Sequence, residues 1–291
     1  MSASGFVPVV GRPNVGKSTL VNSLVGEKVA ITSARPQTTR NTIRGVLTTD
    51  EAQLVFVDTP GLHKPRTTLG VRLNTLVDGS IAEADAVLFV LDATQRIGPG
   101  DRRIAERLLQ AGAPVVVAVN KVDAASQEQT IVQLGEAGEW DFDAYVPISA
   151  LKDDGLDRVV RELVTLLPDG PFLFPPEMHT DQPDQFLAAE LVREKYLWRL
   201  REELPHSVAV VVGDIETRED GVVVVPAIVY VERESQKGIV IGKGGELAKA
   251  VGSEARPELE RLFGAKVFLD LRVKVEKDWQ RLDHALDRLG F

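Results

Sequence analysis

Short β-branched apolar runs separated by amphipathic stretches fill the first half of the chain, and their spacing predicts strands over 6–10, 53–57, 86–91, 114–119 and 144–148. Between them, apolar positions three and four apart predict helices over 17–25, 70–82, 100–111, 127–138 and 155–166. Strand and helix alternate, the pattern of a mostly parallel sheet with helices on its faces. A further run at 44–49 is separated from 53–57 by a short polar turn, so it reads as an antiparallel hairpin partner.

After residue 167 the pattern changes. Five prolines fall within residues 168–183, a density that no helix or central strand tolerates, so 168–184 reads as a linker between two domains, 1–167 and 185–291. Beyond it the periodicity predicts a helix over 185–202, strands over 208–214 and 222–231, and an apolar run at 239–241 read as a strand leading into a helix over 245–262. With the short 239–241 run left out of the count, a strand over 266–275 and a last helix over 278–289 complete an α-β-β-α-β-α module of the α+β class. Trp198 and Trp279 sit on amphipathic helices and are expected in the core.

Candidate chemistry enters at the first strand-to-helix junction. Gly11-Arg12-Pro13-Asn14-Val15-Gly16-Lys17-Ser18 is a G-x-x-x-x-G-K-[ST] loop directly after an apolar strand, with Thr19 continuing into the helix. Its glycines let backbone N–H groups converge on phosphate oxygens, Lys17 can reach the β/γ-phosphates, Ser18 can ligate Mg²⁺, and the positive end of the helix faces the same anion. Three more loops lie at the C-terminal ends of predicted strands. In Asp58-Thr59-Pro60-Gly61 the carboxylate can hold Mg²⁺ through water and the Gly61 amide can meet a γ-phosphate. In Asn120-Lys121-Val122-Asp123 a carboxylate can accept both the N1–H and the exocyclic amine of guanine, a pair adenine does not offer. In Ser149-Ala150-Leu151 a backbone N–H can donate to the guanine O6. Together these loops select GTP over ATP.

Composition narrows the remaining classes. The 291 residues leave room for two cores, and the absence of cysteine excludes disulfides and thiolate chemistry. Four histidines lack metal-ligand spacing, and no apolar run reaches membrane-spanning length; with no secretory leader pattern, a cytoplasmic protein is expected. The net charge of −9 argues against coating nucleic acid by charge alone. Residues 176–291 carry 17 Lys/Arg against 22 Asp/Glu, so an RNA grip there must be local. The candidates are the loop Ile241-Gly242-Lys243-Gly244-Gly245 with Lys237 and Lys249 beside it. Lys266, Arg272 and Lys274 share one strand face, either as further contacts or as a solvated face.

The four nucleotide loops and the segment Gln37-Thr38-Thr39-Arg40-Asn41 resemble the five G-boxes of translation-factor-like small GTPases. That resemblance implies a switch threonine that joins Mg²⁺ when γ-phosphate is present, Thr39 with Thr38 as the neighbouring alternative. Catalysis would then rest on Lys17, Thr39, Gly61 and Asn14. Leu62 stands where Ras-like members carry a glutamine that orients the attacking water, which implies another device or slow hydrolysis. GTPases with this hydrophobic substitution often hold K⁺ with a P-loop asparagine, and Asn14 matches it; a left-handed turn residue is the other reading of Asn14.

The Gly242–Gly245 loop resembles the K-homology (KH) signature of a type II fold, in which the loop clamps the backbone of single-stranded RNA. A G-domain followed by such a module resembles the bacterial Era-type GTPases over essentially the whole chain. The resemblance implies a P-loop GTPase domain with a mostly parallel sheet and a smaller C-terminal KH domain. It further implies GTP hydrolysis with Mg²⁺, binding of the 3′ end of 16S rRNA, action on the 30S ribosomal subunit or its precursor, and peripheral association with the inner membrane, with nothing requiring more than a monomer. Two other readings stand beside it. A modification enzyme carrying a G-domain would need a catalytic cluster that the second module lacks, and a KH fold turned protein-docking module would not need Lys243 inside its loop.

Overall fold

The computed structural model describes residues 2–62 and 64–291. Contacts divide the chain into two compact units: Met1–Ala30, Thr39–Pro65 and Gly70–Asp181 form the first, and Ile31–Thr38, Arg66–Leu69 and Gln182–Phe291 the second.

The first unit is built on strands β1 (Ala3–Val10), β2 (Ile43–Thr48), β3 (Ala52–Asp58), β4 (Val87–Asp92), β5 (Val115–Asn120) and β6 (Ala144–Pro147), in the sheet order β2-β3-β1-β4-β5-β6. Every pairing is parallel except the expected hairpin of β2 with β3. Helices α1 (Lys17–Val25), α2 (Thr68–Ala82), α3 (Pro99–Ala111), α4 (Gln127–Ala137) and α5 (Leu156–Leu166) cover it. On one face Leu20, Leu24, Val159 and Leu163 of α1 and α5 pack on Val7, Leu54, Leu88 and Val116. On the other, Val77, Ile104, Leu108 and Ala137 of α2, α3 and α4 pack on Phe89, Val117 and Val119. With both faces covered, central strands are apolar at successive positions rather than alternating, which is why they read as continuous runs. Strand order reverses beside β1, so a crevice opens at its C-terminal end, where Val10, Asp58, Asp92 and Asn120 end their strands.

Residues 168–181 form no helix or strand but are fastened to this unit. The Gln53 side chain accepts from Leu173 and Phe174 N–H and donates to the Phe174 carbonyl, and the Val46 N–H of β2 donates to the His179 carbonyl at 2.8 Å.

In the second unit α6 (Asp184–Arg199), α7 (Leu204–Ser207), β7 (Ala209–Val212), β8 (Glu216–Thr217), β9 (Val223–Val231), α8 (Glu234–Ile241), α9 (Glu246–Phe263), β10 (Val267–Val275) and α10 (Asp283–Leu289) follow one another. The sheet runs β10-β9-β7 with β8 on β9. Every second residue of β9, namely Val223, Val225, Ala227, Val229 and Val231, points into a core with Ala188, Val192 and Tyr196 of α6, Val240 of α8, and Val251, Ala255 and Leu259 of α9. Among the described residues no helix is long and apolar enough to cross a membrane.

Three expectations are corrected here. The run 239–241 is the end of helix α8, not a strand: the Gln236 carboxamide oxygen caps the helix start by accepting the N–H groups of Glu232 and Arg233, only Val240 of the run is buried, and Ile239 is 54% exposed. Capping and one-sided burial outweigh β-propensity there. The last helix begins at Asp283 rather than 278, because Asp278 turns left-handed (φ 53°) and a 3₁₀ turn drives Trp279 into the core against Phe291. Trp198, expected in the core, is 53% exposed.

Candidate functional site

The P-loop owes its shape to two glycines with no room for a side chain. A Cβ on Gly11 would lie 2.5 Å from the Val90 carbonyl oxygen, and one on Gly16 (φ 99°) would lie 2.4 Å from the Asn120 amide nitrogen. Gly16 is also the left-handed N-cap of α1, which has no side-chain cap, so the helix start is left for an external anion. Lys17 is buried and folds back over its own loop, donating to the Gly11 carbonyl at 3.2 Å and the Arg12 carbonyl at 3.0 Å. Burial lowers its pKa to about 8 despite the nearby Asp58 carboxylate.

Asp58 at the end of β3 is wholly buried, and its Oδ2 accepts from Ser18 at 2.6 Å and Thr39 at 3.1 Å. The two hydroxyls are 3.0 Å apart. Among the described residues Asp58 Oδ1 has no hydrogen-bond partner, and burial pushes the carboxyl up even though Ser18, Lys17 and Thr39 oppose the shift. One carboxylate and two hydroxyls form a small, hard oxygen set, suited to a Mg²⁺ ion that retains waters. Of the two candidates for the switch threonine it is Thr39 that reaches this cluster; Thr38 instead donates to the Arg35 carbonyl at 2.7 Å. Gly61 packs against Pro13, where a Cβ would lie 2.8 Å from the backbone. Leu62 packs on the apolar cluster beneath α2 and α3.

The third and fourth loops brace the first. Asn120, 2% exposed, donates to the Val15 carbonyl at 2.9 Å, and its oxygen accepts from Lys121 N–H at 2.8 Å and Ala150 N–H at 3.0 Å. Lys121, itself left-handed (φ 69°), reaches back to the Asn14 carbonyl at 2.6 Å and to Asp92 at 2.6 Å. Burial alone would raise the Asp92 carboxyl, but hydrogen bonds from Lys121 and Thr94 hold it below the usual range. Asp123 is exposed, its carboxylate steadied by the Ser149 hydroxyl at 2.6 Å. Leu151 is exposed beside it. Asn14 is exposed at φ 65°, as a left-handed turn residue would be.

In the second unit Gly242, Gly244 and Gly245 all have positive φ (80°, 60° and 83°). A Cβ on Gly242 would lie 2.7 Å from the Leu247 nitrogen, whereas Gly244 and Gly245 open onto free space at the start of α9. Lys243 and Lys249 are exposed, Lys237 and Ile241 partly so, and Lys237 lies 3.9 Å from Glu234. Lys266, Arg272 and Lys274 are exposed, with Arg272 paired to Asp270.

Two family models match these units: "50S ribosome-binding GTPase" over residues 6–121 and "KH domain" over residues 203–280. GTPase Era of Ruminiclostridium cellulolyticum is 47% identical over 289 residues, covering 99% of this chain and 97% of its own. The chain belongs to the Era GTPase family. GTPase Era of Mycobacterium tuberculosis H37Rv is 51% identical over 295 residues, covering 99% of this chain and 98% of its own. Among solved structures, Era in complex with MgGDPNP and nucleotides 1506–1542 of 16S ribosomal RNA matches with a TM-score of 0.96 and 39% identity over 100% of this chain and 99% of that one. A variant of Aquifex aeolicus Era bound to GDP·AlF₄⁻ matches with a TM-score of 0.95 and 40% identity over 99% of both chains.

Membership of the Era family makes the chain a GTP hydrolase with a P-loop GTPase domain and a C-terminal KH domain. The structure brings together Ser18, Thr39 and Asp58, and separately Asn120, Lys121, Val15 and Ala150. Sequence reasoning missed Asp92, which anchors Lys121; an acid closing the strand 86–91 was its only signal.

Proposed function

We propose that this chain is a guanine-nucleotide switch that binds the 3′ end of 16S rRNA through its KH loop and acts in 30S subunit assembly and rRNA maturation. The observation that carries the RNA half is the Gly242-Lys243-Gly244-Gly245 loop, whose last two glycines lie open before a helix start. Backbone of an RNA strand can approach such a loop to hydrogen-bond distance, and Lys243 adds charge where the unit is otherwise acidic. A relative of 39% identity binds nucleotides 1506–1542 of 16S rRNA together with MgGDPNP, which supports the same pairing here.

In the first unit, Mg²⁺ held by Ser18, Thr39 and Asp58 would add positive charge beside the buried Asp58 carboxylate, and would neutralise charge on the β- and γ-phosphates. Lys17 turns from its own loop carbonyls to the phosphates, Thr39 registers the γ-phosphate, the Gly61 amide meets it, and Asp123 reads the guanine edge. The backbone of Asn14 to Thr19 and of Ser149 to Leu151 lines the nucleotide. Leu62 offers water no hydrogen bond, so transition-state charge falls to Lys17 and to a K⁺ ion near Asn14. The protein works in the cytoplasm as a monomer, with peripheral rather than spanning association with the inner membrane.

The test is a double substitution, Lys243→Asp with Gly244→Asp. Aspartate tolerates a left-handed backbone, so the loop keeps its shape while two carboxylates repel the phosphodiester. Binding to a single-stranded oligonucleotide of the 16S 3′ end is lost and GTP binding is retained. Wild-type affinity in the double variant would hand the module to the protein-docking reading.

A further inference from the structure

Within the first unit, the outer turn of the P-loop is tied to the first turn of α3. Arg12 Nε donates to Asp101 Oδ1 at 2.7 Å. Asp101 Oδ2 accepts from the Gly98 N–H at 2.9 Å, so one carboxylate both caps α3 and holds the loop. Asp101 is wholly buried, whereas the Arg12 side chain keeps some contact with solvent. The stem of Arg12 lies across Gly100, where a Cβ would come within 2.9 Å of Arg12 Cδ. A side chain at position 100 would therefore push the arginine off its seat.

The tied turn stands between two close backbone approaches. Before Arg12, Gly11 lies so near β4 that a Cβ would meet the Val90 carbonyl oxygen at 2.5 Å. After it, Pro13 supports Gly61, where a Cβ would lie 2.8 Å from both the Pro13 nitrogen and its Cα. Neither contact leaves slack, so a shift of Arg12 is carried through Pro13 to Gly61. Apolar side chains of similar volume would fill the space around Asp101 at a smaller desolvation cost, which makes the ion pair a poor device for stability alone.

We propose that Arg12 and Asp101 are positioning residues for GTP hydrolysis: by pinning the outer turn of the P-loop to α3 they fix Pro13, and through it the Gly61 amide at the γ-phosphate. The inference rests on the γ-phosphate role given to Gly61 above and deepens it. Reacting groups must be held closely, and a displacement of about 1 Å at such a distance from the chemistry can cost a hundredfold in rate. GDP ends at the β-phosphate, which the amides from Asn14 to Ser18 surround, so its affinity does not depend on where Gly61 stands.

The test uses the full-length chain with Asp101→Asn, which keeps an oxygen for the Gly98 cap but turns an amide toward the guanidinium, with Arg12→Gln, and with both together. Single-turnover GTP hydrolysis at saturating nucleotide is measured beside the dissociation constant for GDP. Hydrolysis slows about tenfold to a hundredfold in each single variant, while the GDP constant stays within about threefold. The double variant is no slower than the slower single one, since the two residues act as a unit. Arg12→Lys keeps a charge opposite Asp101, so the fold survives; because the tie is made by one N–H, the ammonium restores most of the rate. Unchanged hydrolysis in both single variants, GDP affinity falling as far as the rate, effects that multiply in the double variant, or a folded Arg12→Lys as slow as Arg12→Gln would each overturn the proposal. Gly61→Ala separates the reading beneath it: a slowed Gly61→Ala beside unaffected Arg12 and Asp101 variants removes the tie alone, whereas wild-type hydrolysis by Gly61→Ala removes the γ-phosphate role of Gly61 and the proposal with it.

Discussion

Replacing Asn120 with alanine separates a brace from a base contact. The Asn120 amide satisfies the Val15 carbonyl and the Ala150 and Lys121 N–H groups, and it is 2% exposed. Alanine strands the Val15 carbonyl and the Ala150 N–H away from water, and each such loss costs about 1–3 kcal/mol. Allowing for partial relaxation, the first unit loses roughly 2–4 kcal/mol, which for a domain of this size lowers its melting temperature by about 5–15 °C. Differential scanning fluorimetry without nucleotide reads this directly. Asp123→Ala is the control: that carboxylate is exposed and, among the described residues, bonded to the Ser149 hydroxyl alone, so its loss costs under about 1 kcal/mol. If Asn120→Ala melts with wild type while nucleotide affinity falls, the amide acts on the ligand and the bracing role is refuted.

Asp123→Asn shifts base preference from guanine toward xanthine, since an amide presents N–H where xanthine has its 2-oxo group; competition between GTP and XTP measures it, and an unchanged preference removes Asp123 from the base edge. Burial, partly offset by Asp58, depresses the Lys17 pKa from 10.5 to about 8, so between those values the unfolded chain binds more protons on this amine and its contribution to stability rises with pH. Phosphate restores the charge, so GTP binding at a pH just above the lowered Lys17 value takes up a proton, seen by calorimetry in buffers of different ionisation enthalpy; no uptake would mean that Lys17 is already charged.

The first unit was legible because each of its signals is local. Continuous apolar runs mark strands covered on both faces, and each nucleotide loop sits at a strand's end. What the sequence could not carry is which side chains serve other loops. Asn120 reads as part of a base-recognition motif, but its bracing of Val15 and Ala150 depends on strand register that no spacing encodes. Ile239 to Ile241 has the composition of a strand, and only the Gln236 cap and the burial of Val240 alone decide for helix. Trp198 is large and apolar, so periodicity assigns it to the core, whereas its indole N–H has a backbone partner at Thr32. Thr38 and Thr39 carry the same hydroxyl, and only the path of the folded loop separates them, turning Thr38 onto Arg35 and Thr39 onto Asp58.

The proline-rich segment fastened along β2 bears on a different property, the tendency of open sheets to recruit strands from other molecules. β2 is an edge, and an edge with free N–H groups is a template for self-association. Here the Val46 N–H is taken by His179, and Thr180 and Asp181 hold Arg44 from the same side. Pro175 and Pro176, just upstream, have no N–H with which to extend a ladder. The covering strip therefore ends the sheet: it occupies the edge without offering a new one. Cleavage or deletion within 171–181 would expose β2 and convert a well-behaved chain into one that aggregates with increasing concentration, even with its nucleotide loops intact.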